Sequence, residues 1–229
     1  MGESRRAERR RQSMLLVGLE FAAFAGVYLA DWTHHVYLSK IPYLLVLAWL
    51  SLRFRGLTWR DVGFALFRSW PTTLALGVLA GVSMEAMELF CTQPLLAIVF
   101  HEMPDLSVFD RVQGNVKWLS VSLALTWTLF AFGEEIVFRG YLMNRVAGLF
   151  ASPRAGWVVA LVAANLVFGL SHFNQGRTGI CENFLDGLIL GALYLACGRK
   201  LAVPIVAHGI TDTLDFLLIF FHRYPGMHF

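Results

Sequence analysis

Charge is what this chain has least of. Only 15% of its 229 residues are Asp, Glu, Lys or Arg, against 57% hydrophobic ones. Soluble domains carry about 25% charged residues, so a water-soluble globular protein is excluded and a polytopic membrane protein fits. Cysteine is almost as scarce. Cys91, Cys181 and Cys197 are odd in number and show no CxxC spacing, which excludes a disulfide framework and a thiolate metal site. They read as buried structural thiols. Proline stands at 7 against 20 glycines, a balance suited to helices packed closely in lipid. The net charge of +3 comes from short basic clusters at segment ends, so nucleic acid is not expected as a partner. No soluble domain, low-complexity linker or internal repeat is visible.

What is there is a series of apolar runs. A spanning helix needs about 20 largely apolar residues, and seven candidate segments emerge: 14–30, 41–52, 70–100, 118–138, 157–173, 180–197 and 201–221. The second is short. The third is long and interrupted by Glu85, Glu88 and Pro94. The fold class expected is all-α, a transmembrane bundle of about seven spans. Residues 1–13 form a basic N-terminal segment, 14–115 the N-terminal helices, 116–222 a catalytic membrane domain and 223–229 a tail. Alternating the 19 Lys and Arg across these spans puts 14 on the N-terminal side and 5 (Lys40, Arg111, Lys117, Arg177, Arg223) opposite. The positive-inside rule then predicts a cytoplasmic N-terminus and an outside C-terminus, in an integral protein of the plasma membrane. Segment 14–30 is long for a signal-peptide core and no small-x-small cleavage site follows it, so a retained first helix is expected.

Against that background the run Phe132-Gly133-Glu134-Glu135-Ile136-Val137-Phe138-Arg139 stands out. Ionisable groups within a span are costly, which makes each a functional-site hypothesis. On an α-helix Glu135 and Arg139 are i,i+4 and share a face, so they pair. Glu134 lies about 100° away around the axis, off the paired face and suited to a general base. The plain alternative is a boundary cluster snorkelling to the interface.

Two more polar islands follow. Asn165, Phe168 and His172 recur at i, i+3 and i+7 and line one stripe, with Phe168 packed above His172. His208 and Asp212 are i,i+4 on the last segment, with Asp215 extending the stripe, and such a pair can fix the imidazole tautomer. Each island alone reads equally as buried polar glue between helices. Together they satisfy one another if they converge. By residue rise, at about 1.5 Å each, Glu134 and His208 fall toward the cytoplasmic half while His172 falls near the opposite end of its span, a tension that a shifted segment boundary would relieve.

In that order, Glu-Glu-x-x-x-Arg, Phe-x-x-x-His and His-x-x-x-Asp resemble the type II CAAX prenyl endopeptidase and bacteriocin-processing (Abi) family of intramembrane proteases. The resemblance runs from Trp127 to Asp215 and includes the Gly187-Leu188-Ile189-Leu190-Gly191 run and Pro204 before His208. It implies an intramembrane endopeptidase in which Glu134 and His172 activate water, while His208 and Asp212 stabilise the oxyanion or orient the site. Glu135, Arg139, Phe168 and Asn165 then support. The family's third motif often ends in Asn, whereas Asp212 carries a charge. A zinc ion held by Glu134, His172 and His208 stays open, since two histidines and a carboxylate suit zinc but no His-Glu-x-x-His is present. The expected partners are a peptide or lipidated protein substrate and the lipid bilayer. Two other readings remain at this point: a non-catalytic scaffold or immunity protein of the same fold, and a proton-coupled transporter with Glu20, Glu85, Glu88, Glu134, Glu182, Asp186 and Asp212 along its path.

Overall fold

In a computed structural model, the backbone is described for residues 2–37 and 39–227 and side chains from Leu15 onward. The side chains of the 1–13 basic segment, and the last two residues of the 223–229 tail, lie outside the described residues. The chain is all-helical, with no strand among the described residues. It forms two compact units, 1–58 and 59–229.

The first unit holds α1 (Gly2–Trp32) and α2 (Ile41–Phe54). Arg55 and Ser51 both bond the Glu20 carboxylate, at 3.0 and 2.6 Å, so this acid within α1's apolar stretch is paired. The second unit holds α3 (Trp70–Met87), a π-helical turn (Glu88–Thr92), α4 (Gln93–Phe100), α5 (Val116–Leu125), a π-helical stretch (Thr126–Leu142), α6 (Met143–Ala147), α7 (Pro153–Leu170), α8 (Gly176–Ala196) and α9 (Ala202–Phe220).

Helix starts follow local chemistry. Ser69, Asn115 and Ser152 accept from Thr72 N, Trp118 N and Ala155 N as N-caps, and Pro71 and Pro153 occupy first-turn positions where a missing N–H costs nothing. Among the described residues, six helices are long and apolar enough to cross a membrane: Leu15–Trp32, Trp70–Phe100, Val116–Ala147, Pro153–Leu170, Phe173–Ala196 and Ala202–Phe220. The expected segment 41–52 is the 14-residue α2, shorter than the rest. The sequence places the fourth span's end at residue 138; the structure carries that helix on to Ala147. The protein is an integral membrane protein.

Two helices at the heart of the second unit approach closely because one residue lacks a side chain. A Cβ on Gly81 of α3 would stand 2.5 Å from the Ala207 carbonyl of α9. Thr211 Oγ1 donates to Gly81 O across this contact at 3.1 Å. Leu190 of α8 packs with Met84 and Ala207 on the same seam, so α9 is held with His208 facing inward.

Candidate active site

The π-helical stretch delivers Glu134, Glu135 and Arg139 into the interior, where they are 8%, 0% and 0% exposed. Its i→i+5 bonding widens each turn, so the 100° phase expected from α-helical geometry does not apply here. The pairing expected from that phase survives: Arg139 Nη1 donates to Glu135 Oε1 at 2.7 Å. Arg139 Nη2 donates to the Gly187 carbonyl of α8 at 3.1 Å, and its guanidinium lies 4.4 Å from the Phe168 ring centroid. A fully buried arginine is thereby held by an acid, a carbonyl and an aromatic face, the combination its desolvation requires.

His208 comes from the second turn of α9 and is 8% exposed. Its Nδ1 donates to the same Glu135 Oε1 at 3.0 Å, while Nε2 stands 3.5 Å from Asp212 Oδ1. The carboxylate accepts only, so it fixes the hydrogen on Nδ1 and turns Nε2 toward Asp212. This Glu135–His208 link, across 73 residues of chain, has no signature in the sequence. Glu134 stands within electrostatic range of both His208 and Arg139.

Phe168 joins the histidines. Its ring meets His172 at 5.0 Å, His208 at 6.1 Å and Phe138 at 5.0 Å between centroids, all edge-on. His172 follows the end of α7, and its Nδ1 lies 2.9 Å from the Phe168 carbonyl. Because the helix bearing Glu134 runs on to Ala147, Glu134 sits 13 residues inside its end, deeper than a span ending at 138 implies. That moves it toward the level of His172.

Asn165 is fully buried and spends its amide N–H on Leu161 O of its own helix at 2.7 Å. It abuts α8: a Cβ on Gly187 would stand 2.8 Å from Asn165 Oδ1. Phe168 Cδ1 would stand 3.1 Å from the same Cβ, so Asn165 and the Phe168 wall meet α8 at one point.

Glu134, His172 and His208 do not each bring a ligand atom within 4.8 Å of the others. His208 presents Nδ1 to Glu135 and Nε2 to Asp212, so as arranged these three do not fit a three-ligand metal set, and no step below runs through a metal. Glu85, Glu88 and Asp215 do meet that spacing. From sequence they look like a span interruption and a stripe extension; that they meet depends on the pairing of α3 with α9.

Residues 116–214 match the family model described as type II CAAX prenyl endopeptidase Rce1-like. The stretch takes in Glu134, Glu135, Arg139, Asn165, Phe168, His172, His208 and Asp212, whereas Glu85, Glu88 and Asp215 fall outside it. The chain is similar to that family of CAAX-type intramembrane proteases over 99 of its 229 residues. No curated protein and no solved structure matches the chain.

Proposed function

We propose that the protein is an intramembrane endopeptidase that hydrolyses a peptide bond of a membrane-associated or lipidated substrate. The observation that supports this most is the double use of Glu135 Oε1, which anchors both Arg139 and His208. Polar groups this deep in an apolar bundle are costly, and here Arg139, Glu135, His208 and Asp212 form one linked set with Glu134 in electrostatic range of it.

In the reaction, Glu134 takes a proton from water as the oxygen forms its bond to the scissile carbonyl carbon. His172 holds that water together with Glu134. His208, locked at Nδ1 by Glu135 and carrying a second hydrogen on Nε2, donates that hydrogen to the developing oxyanion, and Asp212 orients the ring from the Nε2 side. Glu134 then passes the proton to the leaving amide nitrogen as the C–N bond breaks, which balances the step. General-base assistance of this kind contributes about 10²–10⁴-fold, so its loss is measurable. The protein sits in the plasma membrane with its N-terminus in the cytoplasm, and its substrate reaches the site from the bilayer, since Glu134 and His208 lie within helices of spanning length and His172 follows the end of one.

The test is cleavage of a peptide library, including lipidated members, by protein purified in detergent. The wild type should cleave, and Glu134→Gln should retain the fold and lose cleavage. Equal turnover by Glu134→Gln on a verified substrate would end this reading.

A further inference from the structure

The acids that the protease chemistry leaves unused gather around Glu88. Among the described residues, Glu85, Glu88 and Asp215 form the one group of metal-ligating side chains with an atom from each within 4.8 Å of the others. Glu85 and Glu88 are each 5% exposed. Asp186 joins through a contact with Glu88, and Glu182 through the Gln93 amide. Arg139 and His208 act on Asp186 through space, and the ion pairs of Lys40, Arg55, Arg139 and Arg177 include none of these five acids.

A cluster of carboxylates alone would say little. Gln93, a neutral residue only 1% exposed, adds an independent sign. Its Nε2 donates to Glu88 Oε1 at 3.2 Å and to the Tyr224 hydroxyl at 2.6 Å, which places the amide in the cluster. Its carbonyl oxygen nevertheless accepts nothing, and Glu85 meets the Asp215 carboxyl while no N–H or hydroxyl donor reaches either of its oxygens. Buried acceptors without donors are costly, and a cation satisfies several at once. Tyr224 lies beyond the spanning helices and donates to Glu88 Oε1 at 2.9 Å.

We propose that Glu85, Glu88 and Asp215, backed by the Gln93 carbonyl, bind a divalent cation of calcium size that ties α3 to α9. The donors are all oxygen, which selects a hard ion. Magnesium keeps several waters and takes one or two carboxylates, whereas calcium accepts an all-protein oxygen set, so three carboxylates gathered where Glu85 and Glu88 are buried fit the larger ion. Asp215 is seven residues beyond His208, about 10 Å along α9. The ion therefore lies apart from the groups assigned to hydrolysis and clamps the helix that carries His208.

The experiment uses full-length protein in detergent, stripped with chelator, and reads calcium binding by equilibrium dialysis and Tm with added calcium, magnesium or zinc. Calcium should bind and raise Tm most, since an ion bound only by the folded state stabilises it. Glu85→Gln keeps the size of the side chain and should weaken calcium binding at least about tenfold, because affinity follows ligand charge. Glu134→Gln should bind as the wild type does. If Glu85→Gln does not fold, Asp215→Asn carries the same comparison. A wild type that binds no calcium overturns the proposal, as does a preference for magnesium or zinc or unchanged binding in the ligand variant. Loss in Glu134→Gln with retention in Glu85→Gln would place the ion at the protease centre and equally overturn it. None of these outcomes depends on cleavage, so the proposal and the protease reading fail separately.

Discussion

Glu135 Oε1 accepts the Nδ1 hydrogen of His208 at 3.0 Å on the same oxygen that receives Arg139 Nη1 at 2.7 Å. One atom thus links the π-helical stretch to α9 and fixes both an arginine and a histidine. Glu134, next in sequence, acts on His208 and Arg139 through space.

The two adjacent acids should therefore separate under mutation. Glu135→Ala leaves a fully buried guanidinium without its acid, which costs about 3–5 kcal/mol, and releases the imidazole. It should lower yield and Tm and abolish cleavage. Glu134→Gln should lose cleavage with Tm close to wild type. Thermal unfolding in detergent beside a cleavage assay distinguishes them, and a Glu135→Ala protein as stable as wild type would refute the assignment.

Much of this was legible in the sequence because lipid permits so few polar groups. The helical class and most of the span boundaries follow from hydropathy, and the Glu135–Arg139 pair follows from i,i+4 spacing. The π-helical stretch was not legible, since nothing in Thr126 to Leu142 distinguishes wide turns from α-helical ones. The Glu135–His208 bond was not legible either, because residues so distant meet only once α9 has packed. Glu85 and Glu88 were visible as acids in an apolar run. Their meeting with Asp215 needed the close approach at Gly81.

Topology depends on one short helix. With α2 crossing, the 19 basic residues divide 14 to 5; without it, the same count becomes 9 to 10, and the positive-inside signal vanishes. We expect Ile41–Phe54 to cross despite its 14 residues. In a background with Cys91, Cys181 and Cys197 replaced by alanine, cysteines at Tyr37 and Phe54, both strongly exposed, should label from opposite sides. Labelling of both from one side would exclude the crossing.

The start of α8 carries a pH-sensitive cap. Glu102 Oε1 accepts from Arg177 N at 2.9 Å, and the Arg177 side chain pairs with the same carboxylate. These bonds, the side-chain one foremost, hold Glu102 below its ordinary value of 4.5. A depressed folded-state pKa stabilises above the unfolded value and is lost as pH falls through the folded one. The Tm gap between wild type and Glu102→Gln should therefore be full at neutral pH and close below about pH 4.5. A gap that is constant across the acid range would show that the charge does not matter.

Gly187 tests whether the Phe168 wall positions the chemistry. Alanine in a helix interior gains about 1 kcal/mol over glycine, so on propensity alone Gly187→Ala should stabilise α8. Its Cβ, however, would stand 2.8 Å from Asn165 Oδ1 and 3.1 Å from Phe168 Cδ1, and both residues are buried. Overpacking of this sort costs about 1–3 kcal/mol, which outweighs the gain. The shift also presses on the ring shared by His172 and His208 and on the carbonyl that holds Arg139 Nη2. Gly187→Ala should lower Tm modestly and cleavage more severely. Gly26→Ala in α1, where a Cβ meets nothing within 4 Å, should keep or raise Tm and leave cleavage unchanged. If both variants behave alike in the cleavage assay, the packing of Phe168 does not set the geometry of the histidines.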